Sequence, residues 1–267
     1  MKPHILISRK TGLCLAAIAA SHLVGVATPA KAQTNLLKFQ SPDKRVSLVE
    51  LYTSEGCSSC PPAEEWLSGQ RKAPGLWRDF VPVSFHVDYW DYLGWRDRWA
   101  KQEYTRRQEA YAKLWHARNV YTPEFVRNGA EWAAWRDAES VKDSANESAG
   151  VLTLDSSDTN KWMAGFSPAT MRDVSYEIHL ALLTGNVQSD VKAGENRGRI
   201  LHHDFVVVSS HTSAMNRKGN NWSGSISIKI PAGLERGDLA LAAWVTESGS
   251  LEPVQATGGW ISRSRPD

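Results

Sequence analysis

Two thiols three positions apart, set between an apolar run and two prolines, constrain this chain more than any other feature. Leu51 to Trp66 reads LYTSEGCSSCPPAEEW. Arg45 to Ser54 is apolar and β-branched and ends in Thr-Ser-Glu-Gly, which predicts a buried strand and then a turn. Pro61 and Pro62 fit a helix only in its first turn, where a missing N–H costs little. A helix is therefore expected over 62–73. A thiol at its mouth meets unpaired N–H groups and the positive end of the helix dipole, and loses its proton more readily. Cys57, nearer the loop, is expected to be the exposed attacking thiol, and Cys60 the more buried resolving one.

The N-terminus sets the compartment. Lys2, Arg9 and Lys10 precede the stretch LCLAAIAASHLVGVA, and Ala30-Lys31-Ala32 supplies a small-x-small cleavage pattern. Residues 1–32 read as a signal peptide, and the protein is expected in the periplasm or outside the cell. Cys14 lies too close to the charges for a lipoprotein cysteine. Removing the leader takes four of the 31 basic residues, leaving 27 against 29 acidic ones, a formal charge of −2. That balance gives no reason to expect nucleic acid as a partner. No apolar run long enough to span a membrane follows the leader.

Of three cysteines in the whole chain, only Cys57 and Cys60 remain after cleavage. An oxidising compartment permits disulfides, but a staple across a two-residue spacer closes almost no loop. A structural zinc clip needs more ligands than one cysteine pair. A working redox pair stands first. Soft-metal binding of the Cu(I) type, helped by His86, is one alternative, against which the four methionines count. A partner-docking module with a merely structural disulfide is the other. No cofactor and no dedicated metal site are expected.

Asp79 to Trp90 alternates and predicts a second strand, and Arg96 to Asn119 a helix with Ala100, Tyr104, Tyr111 and Trp115 on one face. Glu124 to Arg127 reads as a strand and Asn128-Gly129 as a hairpin turn with a returning strand beyond. The polar segment Asp137 to Ser148 reads as a last helix or a linker. After Gly150 the periodicity becomes that of strands in SYEIHLALL, HHDFVVVSS, GSISIKI and LALAAWVTE. Glu55, His86 and Asp88 are candidates to tune proton transfer at the thiols. Trp90, Trp95 and Trp99 either line a groove beside Cys57 or pack a helix on the sheet. In GENRGRILHHDFV, Gly194, Arg197, Gly198 and Arg199 suggest a turn that holds an anion or a structural hairpin. His202, His203 and Asp204 are possible metal ligands, but adjacent strand residues face opposite ways, so His202 and Asp204 are expected to share a site from which His203 is excluded.

Cys57-Ser58-Ser59-Cys60-Pro61 followed by a helix, together with Val120 to Gly129 (VYTPEFVRNG), resembles the thioredoxin-fold oxidoreductases. That resemblance implies a cis peptide before Pro123, facing the cysteines, and a substrate-positioning role for Thr122 and Pro123. More narrowly, VELYTSEGCSSCPPAE, HVDYWDYLGW, YTPEFVRNG and GENRGRILHHDFVV resemble a family of secreted bacterial proteins catalogued as a domain of unknown function, number 1223. The expected fold is an α/β thioredoxin-like domain over 44–149 with a helical insertion. A mostly antiparallel, sandwich-like β region over 150–262 is expected to follow it. The expected activity is thiol–disulfide exchange by Cys57 and Cys60, with a thiol- or disulfide-bearing protein or small thiol as substrate and a redox partner the sequence does not name.

Overall fold

The computed structural model describes residues 1, 37–138, 141, 147–156, 160–234 and 238–262. Apart from Met1, the expected signal peptide with Cys14 lies outside these residues, as does much of the segment 137–148. Asn35–Asp267 make one compact unit.

A short strand β1 (Lys38–Gln40) leads to β2 (Ser47–Thr53), in which all seven residues are buried. A strand with no exposed face belongs in the middle of a sheet covered on both sides. Helix α1 (Pro61–Gly69) follows, with Cys60 as its N-cap and the prolines at its first two positions, as their missing N–H groups require. It hands over to a 3-10 turn and then to β3 (Phe80–His86), which runs parallel to β2. Helix α2 (Gln102–Leu114) starts six residues later than the periodicity suggests. Asp97 holds the preceding segment in a turn by accepting from the backbone N–H groups of Glu55 and Trp99. β4 (Glu124–Arg127) lies antiparallel to β2. Asn128 and Gly129, both at positive φ, turn it into a two-residue β5 (Ala130–Glu131). The returning strand stops there because Trp132 and Trp135 fold back onto Trp66 and Phe125.

Ten further strands follow: β6 (Gly150–Ser156), β7 (Lys161–Pro168), β8 (Tyr176–Gly185), β9 (Val187–Asp190) and β10 (Ile200–His203), then β11 (Val206–Ala214), β12 (Asn216–Lys218), β13 (Asn221–Ser227), β14 (Asp238–Glu247) and β15 (Pro253–Ser262). Fifteen strands against two α-helices among the described residues overturn the expected α/β thioredoxin-like class: the chain is mostly β, in several sheets. The largest sheet has the order β15-β14-β8-β11-β3-β2-β4-β5 and so draws strands from both halves of the chain. Its seam is β11, parallel to β3 at Val206 and Ser84 and antiparallel to β8 along its length. A second sheet, β1-β6-β7-β13-β12, packs on the first through Leu152, Leu154, Trp162 and Phe166 against Leu180, Leu182, Leu241 and Val245. The alternate residues Ala181, Leu183, Ala240 and Ala242 face the other core, shared with β2, β3 and the helices. The separate sandwich-like region expected after 150 is therefore not what forms: two sheets pack face to face, and one of them continues into the thiol-bearing half.

The two helices cover opposite faces of β2. Glu64 of α1 meets Thr53, whereas α2 meets Glu50 and Tyr52. Glu50 is buried and pairs bidentately with Arg107, at 2.7 and 3.0 Å, while accepting from Tyr52 and Tyr111. The guanidinium lies over the rings of Phe85, Tyr111 and Trp244, so one pair ties α2 to strands of both halves. Arg107→Leu leaves a buried carboxylate without its cation and should cost about 3–5 kcal/mol of unfolding free energy. Adding Glu50→Leu should recover most of that, because two apolar residues carry no desolvation penalty. Urea denaturation of the single and double variants checks this; a single-variant loss under about 1 kcal/mol contradicts it.

Candidate functional site

Cys57 and Cys60 stand in the turn that joins β2 to α1. The Cys57 sulfur is 3.2 Å from the Ser59 hydroxyl and 3.8 Å from the backbone carbonyl of Thr122. Thr122 and Pro123 are joined by a cis peptide just before β4, as the resemblance implies. Trp90 fixes the neighbourhood by donating its indole N–H to the Thr122 hydroxyl at 2.8 Å. A hydrogen bond from the Cys60 thiol lowers Cys57 to about 6, against burial, with further help from Ser59 and Thr122. Burial pushes the Cys60 thiol far up, and its bond to Cys57 adds to that. Both are free thiols in this structure. The two thiols are thus unequal: the surroundings favour loss of the proton at Cys57 and oppose it at Cys60.

Access differs from expectation. Cys57 is 1% exposed and Cys60 0%, so the thiol expected to be exposed is covered. Its cover comes from the loop between β9 and β10. The buried side-chain amide of Asn196 donates to the carbonyls of Glu55 and Cys57, at 3.0 and 2.8 Å. Glu195 accepts from the backbone N–H of Ser58 at 2.9 Å. Trp90 closes another side, and Gly56 permits its approach: a Cβ there would lie 2.9 Å from the Cβ of Trp90. Ser58 and Ser59 remain exposed.

Below the thiols lies a buried group of acids and imidazoles. Thr53, whose hydroxyl interacts with the Cys60 thiol, donates to Glu64 at 2.5 Å. Glu64 also meets His203 Nδ1 at 2.5 Å, and His203 Nε2 lies 3.3 Å from Glu55. His86 hydrogen-bonds Asp97 through Nδ1 at 2.7 Å and sets its ring edge-on to His203. Burial opposes a proton on His203, but the carboxylates of Glu64 and Glu55 outweigh it and lift the imidazole to about 10. Burial likewise opposes charge on Glu64, yet His203 and His86 hold it below its usual range.

The residues expected from sequence divide accordingly. Cys57, Cys60, Thr122 and Pro123 come together. Glu55 and His86 meet in the layer beneath, while Asp88 bonds Thr105 of α2 instead. Trp90 and Trp95 serve as donors that pin Thr122 and Glu55, and Trp99 carries the guanidinium of Arg98. His202 is exposed, and Asp204 pairs with Arg71, so those two make no common site. His203, on the opposite face, is the one that turns inward. Glu64, Asp97 and Asn196 stand in no motif of the sequence, and strand alternation sets His203 apart from the site expected of His202 and Asp204. Asn196 and His203 lie 139 to 141 residues from the groups they bond, and no local pattern reports such a pairing.

Fold and site together describe a two-layered β protein with an asymmetric dithiol under a polar loop. Residues 48–246 match the family described as Protein of unknown function (DUF1223), and the chain belongs to that family. The X-ray structure of protein AGR_C_4864 from Agrobacterium tumefaciens is similar: 25% identity, a TM-score of 0.61, 85% of this chain and 99% of that one. HBP35 of Porphyromonas gingivalis shares the fold at 14% identity and a TM-score of 0.58, over 85% of this chain and 78% of that one. No curated protein matches the chain.

Alkylation of Cys57 should rise with pH around an inflection near 6, since only the thiolate reacts. Cys60→Ala removes the donor to that thiolate and should move the inflection upward. Asn196→Ala unlatches the covering loop and should speed alkylation at fixed pH several-fold. Mass-spectrometric alkylation rates check both; an unchanged rate in Asn196→Ala removes the latch from the account.

Proposed function

We propose that this chain is an exported thiol–disulfide oxidoreductase working through Cys57 and Cys60. One observation carries the reading: two free thiols at the N-terminus of α1, the first with its sulfur between the Ser59 hydroxyl and the Thr122 carbonyl. The Cys57 thiolate attacks one sulfur of a substrate disulfide. A mixed disulfide forms and the other substrate sulfur leaves as thiolate, taking up a proton. Cys60 then gives up its proton and attacks the Cys57 sulfur, which releases the second substrate thiol and closes Cys57–Cys60. Two electrons pass to the substrate, and a thiol partner in the same compartment restores the pair. Run backwards, the same steps oxidise a dithiol. Thr122 and Pro123 border the sulfur and position the substrate chain, and the loop carrying Glu195 and Asn196 moves aside to admit it. Export belongs to the same proposal and rests on the leader pattern in residues 1–32.

Cys57→Ser should abolish turnover of a small aromatic disulfide, whereas Cys60→Ser should accumulate mixed disulfides seen as added mass on the intact chain. Wild-type turnover by the Cys57→Ser protein defeats the reading.

A further inference from the structure

The group beneath the thiols has features that disulfide exchange does not use. Three carboxylates, Glu55, Glu64 and Asp97, and two imidazoles, His86 and His203, are each 5% exposed or less. With the carboxylates ionised, the group stays negative in every protonation state of the two rings: −3 with both neutral, −1 with both charged. Uncompensated buried charge is costly, and proteins that keep it usually pair it or place a metal there.

The hydrogen bonds point the same way. His86 is held through Nδ1 by Asp97, which leaves Nε2 as the free nitrogen. That atom is buried and makes no hydrogen bond among the described residues. His203 repeats the arrangement with the ring reversed. Its Nδ1 faces Glu64, and its Nε2 sits 3.3 Å from Glu55 Oε1, outside hydrogen-bond geometry, so that neither atom has a hydrogen-bond partner there. A carboxylate behind each imidazole is the outer shell that orients metal-bound histidines. One ligand atom from each of Glu64, His86 and His203 lies within 4.8 Å of the others. Donors around a tetrahedral zinc ion are about 3.4 Å apart, so side-chain adjustments on the order of 1 Å gather them.

We infer that Glu64, His86 and His203 bind one divalent first-row transition metal ion, with Zn2+ the best match to two imidazoles and a carboxylate. Asp97 and Glu55 orient the two rings, and a fourth position is left to a water or another small ligand. The site is separate from the two sulfurs and holds whether or not those exchange disulfides. It also differs from a soft-metal site at the cysteines, which would need thiolate ligands. None of this is apparent in the sequence, because the ligands come from α1, the end of β3 and β10, at no recognisable spacing.

The test uses the full chain, unfolded with a chelator and refolded with Zn2+ or Co2+, since the ligands are buried. Elemental analysis should find one ion per chain, retained when both Cys57→Ser and Cys60→Ser are introduced. Co2+ should give the spectrum of nitrogen and oxygen ligation with no thiolate charge-transfer band. His86→Gln and His203→Gln, which keep much of the side-chain volume, should lose the ion. Asp97→Asn should weaken Zn2+ affinity by about 10–100-fold. Wild-type protein that refolds without binding Zn2+ or Co2+ overturns the inference and leaves a buried ion triad around a protonated His203. Binding that disappears with the cysteines, or shows the thiolate band, also overturns it.

Discussion

The thiol site depends on a narrow seam between two halves of one sheet. β3 and β11 meet in parallel at Ser84 and Val206, with the Ser84 N–H donating to the Phe205 carbonyl at 2.8 Å. Phe205 itself is at φ 57, an unusual conformation for a bulky residue, and it separates β10 from β11. That break lets β11 enter the large sheet while β9 and β10 form a separate two-stranded hairpin. The hairpin then lies over α1 and the cysteine turn. Without the seam, neither Asn196 nor His203 would reach the residues they bond.

The thiol-bearing half uses buried charge twice, for different ends. Glu50 and Arg107 form a closed pair in which each charge has its counterpart and the rings of Phe85, Tyr111 and Trp244 enclose the cation. Beneath the cysteines the carboxylates outnumber the imidazoles, and Glu55 Oε1, His86 Nε2 and His203 Nε2 find no hydrogen-bond partner among the described residues. The first arrangement holds a helix to a sheet. The second keeps polar atoms poised a short way behind Cys60, linked to it through the Thr53 hydroxyl. A packed protein tolerates such a group where a bound species or a moving proton has use for it. A polar surface cleft lined by Arg45, Arg172, Glu247 and Glu252 involves none of the thiol-site residues.

Local rules read the immediate frame of the cysteines well. The strand before them, the prolines at the start of α1, the Asn-Gly turn after β4 and the cis peptide at Pro123 all stand where motif or resemblance put them. Strands that are plain β-rich apolar runs, such as β8 and β14, are also visible. β15 is not, because PVQATGGWIS looks like a loop. Its glycines serve close packing: a Cβ on Gly258 would lie 2.4 Å from the Leu241 carbonyl, and one on Gly259 would lie 2.3 Å from the Phe39 ring. The change of texture near Gly150 suggested a change of fold class, yet strands on either side of it share one sheet. Strand pairing depends on edge complementarity and core contacts, which a run of β-formers does not encode by itself.

By itself, the sequence determined that two thiols stand at the start of a helix and which proline borders them. Those are consequences of backbone geometry within a few residues, plus one motif. Only the tertiary structure decided that Cys57 is covered, that Asn196 covers it, and that Glu64, His86 and His203 share a buried space. These contacts join groups up to 141 residues apart, and their free energy comes from burial and hydrogen bonding that exist only once the sheets have closed.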